Sequence, residues 1–269
     1  MGDSLQAQLF YSAACLLKQN CPTETTVDTP YSVSAWQPEL SCRRGIWRLC
    51  IRLMAARASS AARLCYVPAD MGGSTTEKGG FSLGDALAAL YSPGEPDWLG
   101  PRDVLVANMG LHHKDIDTAS GRMEVRDLMQ QFLSVYNMLP PPRPRLMWRE
   151  TTAQHYDHVP WGAYVQGKPG ERCVPHKTAK DPYNLLTTPL VLHALASSTD
   201  VLRIWQFSAV HHDQHPAKHG SPHADCTHFC QQGGVPDMWV TTLVNAIMSH
   251  TASEEHMRYD NESRKARIR

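Results

Sequence analysis

Six residues in the middle of the chain, Asp103-Val104-Leu105-Val106-Ala107-Asn108, limit the fold more than any other stretch. Four consecutive apolar residues stand between two polar ones. A half-exposed strand alternates apolar and polar positions, whereas an unbroken apolar run suits a strand covered on both faces, as in parallel sheets. The residues C-terminal to this run are consistent with that. Val125, Leu128, Met129, Phe132, Tyr136 and Leu139 recur at helical spacing, Pro140-Pro141-Pro142 ends the helix, and Arg145–Trp148 reads as the next strand. Strand, amphipathic helix and strand predict an α/β fold: one three-layer α/β/α domain with a mainly parallel sheet.

The rest of the chain extends this pattern. Leu5, Leu9, Ala13, Leu16 and Leu17 predict a helix from Ser4 to about Asn20, stopped by Pro22. Residues 22–41 read as a loop. Cys42–Arg63 sets six arginines among apolar residues and reads as a solvated helix face, with contact to nucleic acid or acidic glycan as the alternative. Ala62–Val67 is a candidate buried strand, Ser82–Tyr91 a short helix, Leu185–Ala196 a helix, Val201–Phe207 a strand and Pro236–His250 the last helix. No internal repeat or linker divides the chain. One domain over 1–253 and a charged tail over 254–269 are expected.

Composition excludes some functions. Lys plus Arg and Asp plus Glu both number 26, so no net field draws nucleic acid, and no apolar run is long enough to span a bilayer. No secretory signal opens the chain. Eight widely spaced cysteines, none in a Cys-x-x-Cys, suit either a few disulfides or buried thiols, with disulfides favoured. Asn261-Glu262-Ser263 is a short glycosylation sequon.

The chemistry concentrates near the end of the chain, in Asp225-Cys226-Thr227-His228-Phe229-Cys230. A carboxylate three residues before an imidazole can accept its ring N–H and fix its tautomer, as a general base requires. The nucleophile would come from Gly2-Asp3-Ser4. Ser4 is either a helix N-cap or a hydroxyl on a sharp strand-to-helix turn. The strand expected before such a turn is missing, so an N-terminally truncated chain, or another segment at that edge, is expected. Asn108 stands at the carboxyl end of a strand, where its amide would either stabilise an oxyanion or form a turn. His211, His212, His215, His219, His223 and His228 crowd beside Cys226 and Cys230. Their spacing matches no familiar zinc site, so a metal-binding module is only an alternative and no metal is assigned.

Taken together, these blocks resemble the trichome-birefringence-like and PC-esterase group of the SGNH (GDSL-type) hydrolase superfamily. Gly2-Asp3-Ser4 looks like its nucleophile block, followed at the family's spacing by Cys15-Leu16-Leu17. Asp103–Gly110 is similar to its strand ending in Asn-x-Gly. Trp148-Arg149-Glu150-Thr151 with Gln154-His155-Tyr156, and Gly170-Glu171-Arg172-Cys173, look like two further blocks. Asp225–Cys230 with Gly234–Trp239 is the longest and most specific match.

The resemblance implies an SGNH-hydrolase-like (flavodoxin-like) fold. It implies Ser4 as acyl nucleophile, His228 as base and acid, Asp225 as the residue orienting it, and Asn108 and Gly45 in the oxyanion hole. Arg149, His155 and His112 would contact substrate. Leu111-His112-His113 replaces the plant members' His-Trp-Trp. Cys173, Cys226, Cys230 and Cys15 would form disulfides in a Golgi lumen or outside the cell. The implied activity is polysaccharide O-acetylation, with deacetylation or non-catalytic glycan binding as alternatives. It requires no cofactor beyond an acetyl donor as co-substrate, and its partner is a polysaccharide or oligosaccharide, with no nucleic acid and no membrane contact.

Overall fold

A computed structural model of the chain describes residues 1, 4–20, 25–26, 39–43, 46–53, 62–67, 69, 82–91, 99–100, 103–109, 116–158, 172–176, 181–195, 200–216, 224–230 and 234–249. Gly45, His112, Gly170, Glu171, His219, His223, the sequon and the charged tail lie outside the described residues.

The expected parallel sheet is present. It comprises β5 (Val104–Ala107), β6 (Arg145–Arg149) and β7 (Asp200–Leu202), in that order, with both pairs parallel. The crossover from β5 to β6 carries α3 (Ala119–Met138), and that from β6 to β7 carries α4 (Pro182–Leu195). α3 starts where the Thr118 hydroxyl accepts the Gly121 N–H, a side-chain N-cap. α2 (Leu83–Leu90) starts in the same way at Ser82, whose hydroxyl accepts the Asp85 N–H.

Successive strand residues face opposite ways, and the two faces bury different helices. Leu105, Ala107, Leu146 and Trp148 enter a core with Leu83 and Leu87 of α2, Val125, Met129 and Phe132 of α3, and Val191 of α4. The intervening residues Val106 and Met147, with Leu202, turn to a second core. That core contains Leu5 and Leu9 of α1 (Ser4–Asn20), Phe229, and Trp239 and Leu243 of α6, the helix over 235–249. The chain is therefore an α/β sandwich, with α2–α4 on one face of the sheet and α1 and α6 on the other. None of its described helices is long and apolar enough to cross a membrane.

Besides the short strands that begin within 22–41, which reads as a loop in the sequence, two expectations fail. The described residues of the Arg-rich stretch form strands of an antiparallel sheet, not a helix: β3 (Ile46–Leu53) pairs with β1 (Thr25–Thr26), β2 (Glu39–Arg43) and β4 (Ala62–Tyr66). Ile46-Trp47-Arg48-Leu49-Cys50-Ile51-Arg52-Leu53 contains β-branched and aromatic residues, and Gly45 directly precedes it in the sequence. The second failure is Val201–Phe207. The strand stops at Leu202 and a short helix, α5 (Trp205–Ala209), begins three residues later. There the Glu150 carboxylate accepts the Trp205 N–H at 3.2 Å, and the Ser208 hydroxyl donates to the Ile204 and Trp205 carbonyls.

α1 is attached at its start as well as along its face. The Met1 amino group donates to the Val106 carbonyl at 2.6 Å, and the Asn108 N–H donates to the Met1 carbonyl at 3.2 Å. This is the bonding pattern of a parallel neighbour at the carboxyl end of β5. Leu5, fully buried on the first turn, should be sensitive to truncation. Leu5→Ala is expected to cost about 2–5 kcal/mol in urea unfolding, and a loss below about 1 kcal/mol would contradict this packing.

Candidate active site

Asp225 and His228 meet as expected. The His228 ring Nδ1 donates to Asp225 Oδ2 at 2.9 Å, while Oδ1 accepts the N–H groups of Thr227 and His228, both at 3.1 Å. Burial alone would raise the Asp225 carboxyl. Hydrogen bonds from the His228 ring and backbone, the nearby imidazole charge and the Thr227 N–H outweigh it and bring the group down to about 2. The carboxylate therefore stays ionised and holds the proton on Nδ1, leaving Nε2 as the basic ring nitrogen. Both side chains are about one-third exposed, at 29% for Asp225 and 34% for His228.

The start of the chain reaches this turn. The Gln8 side-chain Nε2 donates to the Phe229 carbonyl at 2.8 Å, and the Phe229 N–H donates to Gln8 Oε1 at 3.2 Å. A carbonyl can only accept and an amide N–H can only donate, so the two ends of the Gln8 amide are assigned by chemistry. Ser4 begins the same helix, one turn before Gln8 and about 6 Å away along the axis. Its first turn lies between two anchors: Met1 at the end of β5, and Gln8 against the residue after His228.

The loop after β6 forms the floor. Asn184 clamps Thr151 as Gln8 clamps Phe229, with its Nδ2 on the Thr151 carbonyl at 2.8 Å and its Oδ1 on the Thr151 N–H at 2.7 Å. The Asp181 carboxylate accepts the Tyr183 and Asn184 N–H groups at the start of α4. Burial pushes its pKa up to about 7 against those hydrogen bonds. The His155 N–H donates to the Cys226 carbonyl at 2.9 Å, and the Val174 N–H to the His155 carbonyl at 2.8 Å. A disulfide joins Cys173 to Cys226, with a Cα–Cα distance of 5.3 Å, and fixes the residue beside Asp225.

Several expected site residues have other surroundings. Asn108 is fully buried, and its Nδ2 donates to the Arg149 carbonyl at 3.0 Å and to Thr151 Oγ1 at 3.2 Å. Both amide protons are engaged, so in this arrangement the side chain has no donor left for an oxyanion. Only its Oδ1 is without a partner among the described residues. Arg149 and His155 are fully buried and are not positioned to touch a sugar. Arg149 Nε donates to Gln6 Oε1 at 2.6 Å, and the guanidinium carbon lies 5.8 Å from the centre of the Trp239 ring. Cys230 is an exposed thiol and Cys15 a half-buried one, so neither forms the expected disulfide. Among the described residues no group of His, Cys, Asp or Glu is arranged to hold a metal, and the Cys226 sulfur is already in a disulfide.

Sequence reasoning missed Gln8 and Asn184, and weighed His215 only as one of a possible metal-binding cluster. The two amides carry no recognisable spacing, because their partners are 221 and 33 residues away. His215 Nδ1 lies 2.5 Å from the His228 carbonyl and its Nε2 lies 2.7 Å from His155 Nδ1. Burial pushes both imidazoles down, His155 to about 3 and His215 to about 4.

These shifts set an acid response. Unfolding returns imidazoles to about 6.5 and carboxyls to about 3.9. Between about pH 4.5 and 6.5 the unfolded chain gains two protons at His155 and His215 and releases one at Asp181. The net uptake of about one proton makes stability fall on acidification, by on the order of 1 kcal/mol per pH unit. The Asp225 contribution persists until the pH falls below about 4. Calorimetric Tm should decline from pH 6.5 to 4.5, and a rise over that range would contradict these assignments.

Residues 102–246 match the model of the PC-Esterase family, a GDSL/SGNH-like acyl-esterase family found in Pmr5 and Cas1p. No curated protein matches the chain. The matched stretch runs from β5 into α6 and includes Asn108, Arg149, His155, Asp225 and His228; α1 and the antiparallel sheet precede it. It covers just over half of the 269 residues, and the chain belongs to the PC-Esterase family of GDSL/SGNH-like acyl esterases.

Proposed function

We propose that the protein transfers an acetyl group on carbohydrate through an acyl-serine intermediate, with a polysaccharide hydroxyl as the acceptor. Ser4 is the nucleophile, His228 the general base and Asp225 the residue that holds His228 in its Nδ1–H tautomer. His228 takes the Ser4 proton as Ser4 oxygen bonds to the acetyl carbonyl carbon. The tetrahedral adduct collapses, and His228 returns the proton to the departing donor oxygen. An incoming sugar hydroxyl, deprotonated by His228, then attacks the acetyl-Ser4 ester and releases the serine. With water as acceptor, the same steps constitute an acetyl esterase.

The observation that supports this reading is the pairing of Gln8, one turn beyond Ser4 on α1, with Phe229, the residue after His228. With the Asn108 amide engaged elsewhere, the oxyanion falls to backbone donors. The positive end of the α1 dipole suits a developing negative charge there. The likeness of Asp225–Trp239 to the trichome-birefringence-like block favours transfer to a polysaccharide over hydrolysis. The Cys173–Cys226 disulfide suits an oxidising compartment such as the secretory lumen or the cell exterior.

Ser4→Ala is expected to abolish both acetyl transfer to glycan acceptors and release of acetate from acetylated glycans. Trapped wild-type protein should carry an added acetyl mass on the peptide containing Ser4. Undiminished turnover in Ser4→Ala would end the proposal. Asp225→Asn offers the wrong group to His228 Nδ1, and about a 10^3- to 10^4-fold fall in kcat is expected with the fold intact.

A further inference from the structure

His155 and His215 stand in line between two backbone carbonyls, and the number of protons in that line is too small. Along it, the Ala209 carbonyl lies 3.1 Å from His155 Nε2, His155 Nδ1 lies 2.7 Å from His215 Nε2, and His215 Nδ1 lies 2.5 Å from the His228 carbonyl. A carbonyl cannot donate. Satisfying all three contacts takes three protons, and two neutral imidazoles carry one each.

A cationic pair would supply the third proton, but burial opposes it. His155 is fully buried, and the two groups are held down to about 3 and about 4. The surrounding charges do not reverse this. His176 and His212 face His155, while His212, His228 and Asp225 face His215; Asp225 and the Ala209 and His228 carbonyls favour the cation, and burial outweighs them. At neutral pH the pair therefore holds two protons for three contacts.

The distances decide which contact goes without. Two lone pairs cannot sit 2.5 Å apart, so the proton between His215 and the His228 carbonyl stays. His215 Nε2 is then bare and must accept from His155 Nδ1–H. His155 Nε2 is left bare opposite the Ala209 carbonyl, across the longest of the three separations. Each ring thus sets the tautomer of the next.

The held carbonyl belongs to the peptide between His228 and Phe229. The N–H of that same peptide is held by Gln8 Oε1 from the α1 side. The unit is gripped at both ends, by His215 across one edge and by the helix that starts at Ser4 across the other. The His215 ring also packs on Phe229, with centroids 4.4 Å apart. The Gln214 carbonyl accepts the Cys230 N–H at 2.8 Å, so the 214–215 strap holds two successive peptides of the turn.

We infer that His215 is a positioning residue for His228, holding the His228–Phe229 peptide as an Nδ1–H donor whose tautomer is set by buried His155. It acts through the backbone, not on the substrate, and its catalytic consequence rests on the acyl-transfer reading above. Without the donor, the carbonyl loses that hydrogen bond, the peptide plane can rotate and the imidazole attached to it shifts. A misplacement of about 1 Å at a reacting group can cost on the order of 100-fold in rate.

Two measurements test this. In the wild-type chain labelled with 15N-histidine, ring 1H–15N spectra at pH 7, assigned with single-histidine variants, should place the proton of both His155 and His215 on Nδ1. A proton on Nε2 of His215 would overturn the inference, whether or not any variant folds. The second measurement compares His215→Phe, which keeps the packing on Phe229 but has no donor, with His215→Asn, whose amide N–H can replace Nδ1–H. With p-nitrophenyl acetate as probe, His215→Phe should lose about 10- to 100-fold in kcat with little change in KM, and His215→Asn should restore most of it. A folded His215→Phe with wild-type kcat would overturn the positioning role. A wild-type chain that never acetylates Ser4 would instead remove the acyl-transfer reading, while the tautomers measured on the same sample still decide the pair.

Discussion

The site depends on side-chain amides that take the place of missing strand neighbours. The turn carrying His228 and the loop after β6 belong to no sheet, yet their peptide groups are buried and need partners. Gln8 presents a C=O and an N–H to Phe229, and Asn184 does the same for Thr151. Each amide works as a single residue of a sheet ladder. Replacing one by an apolar residue would leave two buried backbone groups unpaired, at about 1–3 kcal/mol each. The same bonds carry the geometry, because Gln8 ties the start of α1 to the peptide after His228.

Charge and burial then divide the titratable groups by role. Asp225 gathers three N–H donors and stays ionised at the edge of solvent. His155 and His215, deeper in the same loop cluster, are kept neutral by burial and serve the backbone. Asp181 is buried as well, with its carboxyl at the start of α4, close to the Asn184 amide that holds Thr151. The Asp225–His228 pair near the surface is supported by buried groups whose protonation is set by their surroundings.

The departures from expectation share a cause. Asn108, Arg149 and His155 are polar residues at or just past the carboxyl ends of strands, where ligands gather in α/β sheets. Position alone marks them as site residues. In the folded chain they lie beneath the surface, where Asn108 bonds the Arg149 carbonyl and Thr151, Arg149 bonds Gln6, and His155 bonds His215. Local sequence does not say how many residues separate a strand end from solvent. Cys230 illustrates the same limit: it stands four residues from Cys226, but the Cys226 sulfur is already joined to Cys173.

The sequence by itself determined the layers and the acid–imidazole pair. Apolar runs, helical spacing, caps and proline stops are local, and Asp225 and His228 are close enough for one turn to join them. It did not determine the antiparallel sheet of the Arg-rich stretch, whose short strands are stabilised by cross-strand partners and not by their own periodicity. Nor did it determine the meeting of α1 with the His228 turn, the clamps by Gln8 and Asn184, or the pairing of His155 with His215. Those contacts join residues tens to hundreds of positions apart. They exist because burial leaves backbone and imidazole groups needing partners, and only the packed tertiary structure decides which partners come within reach.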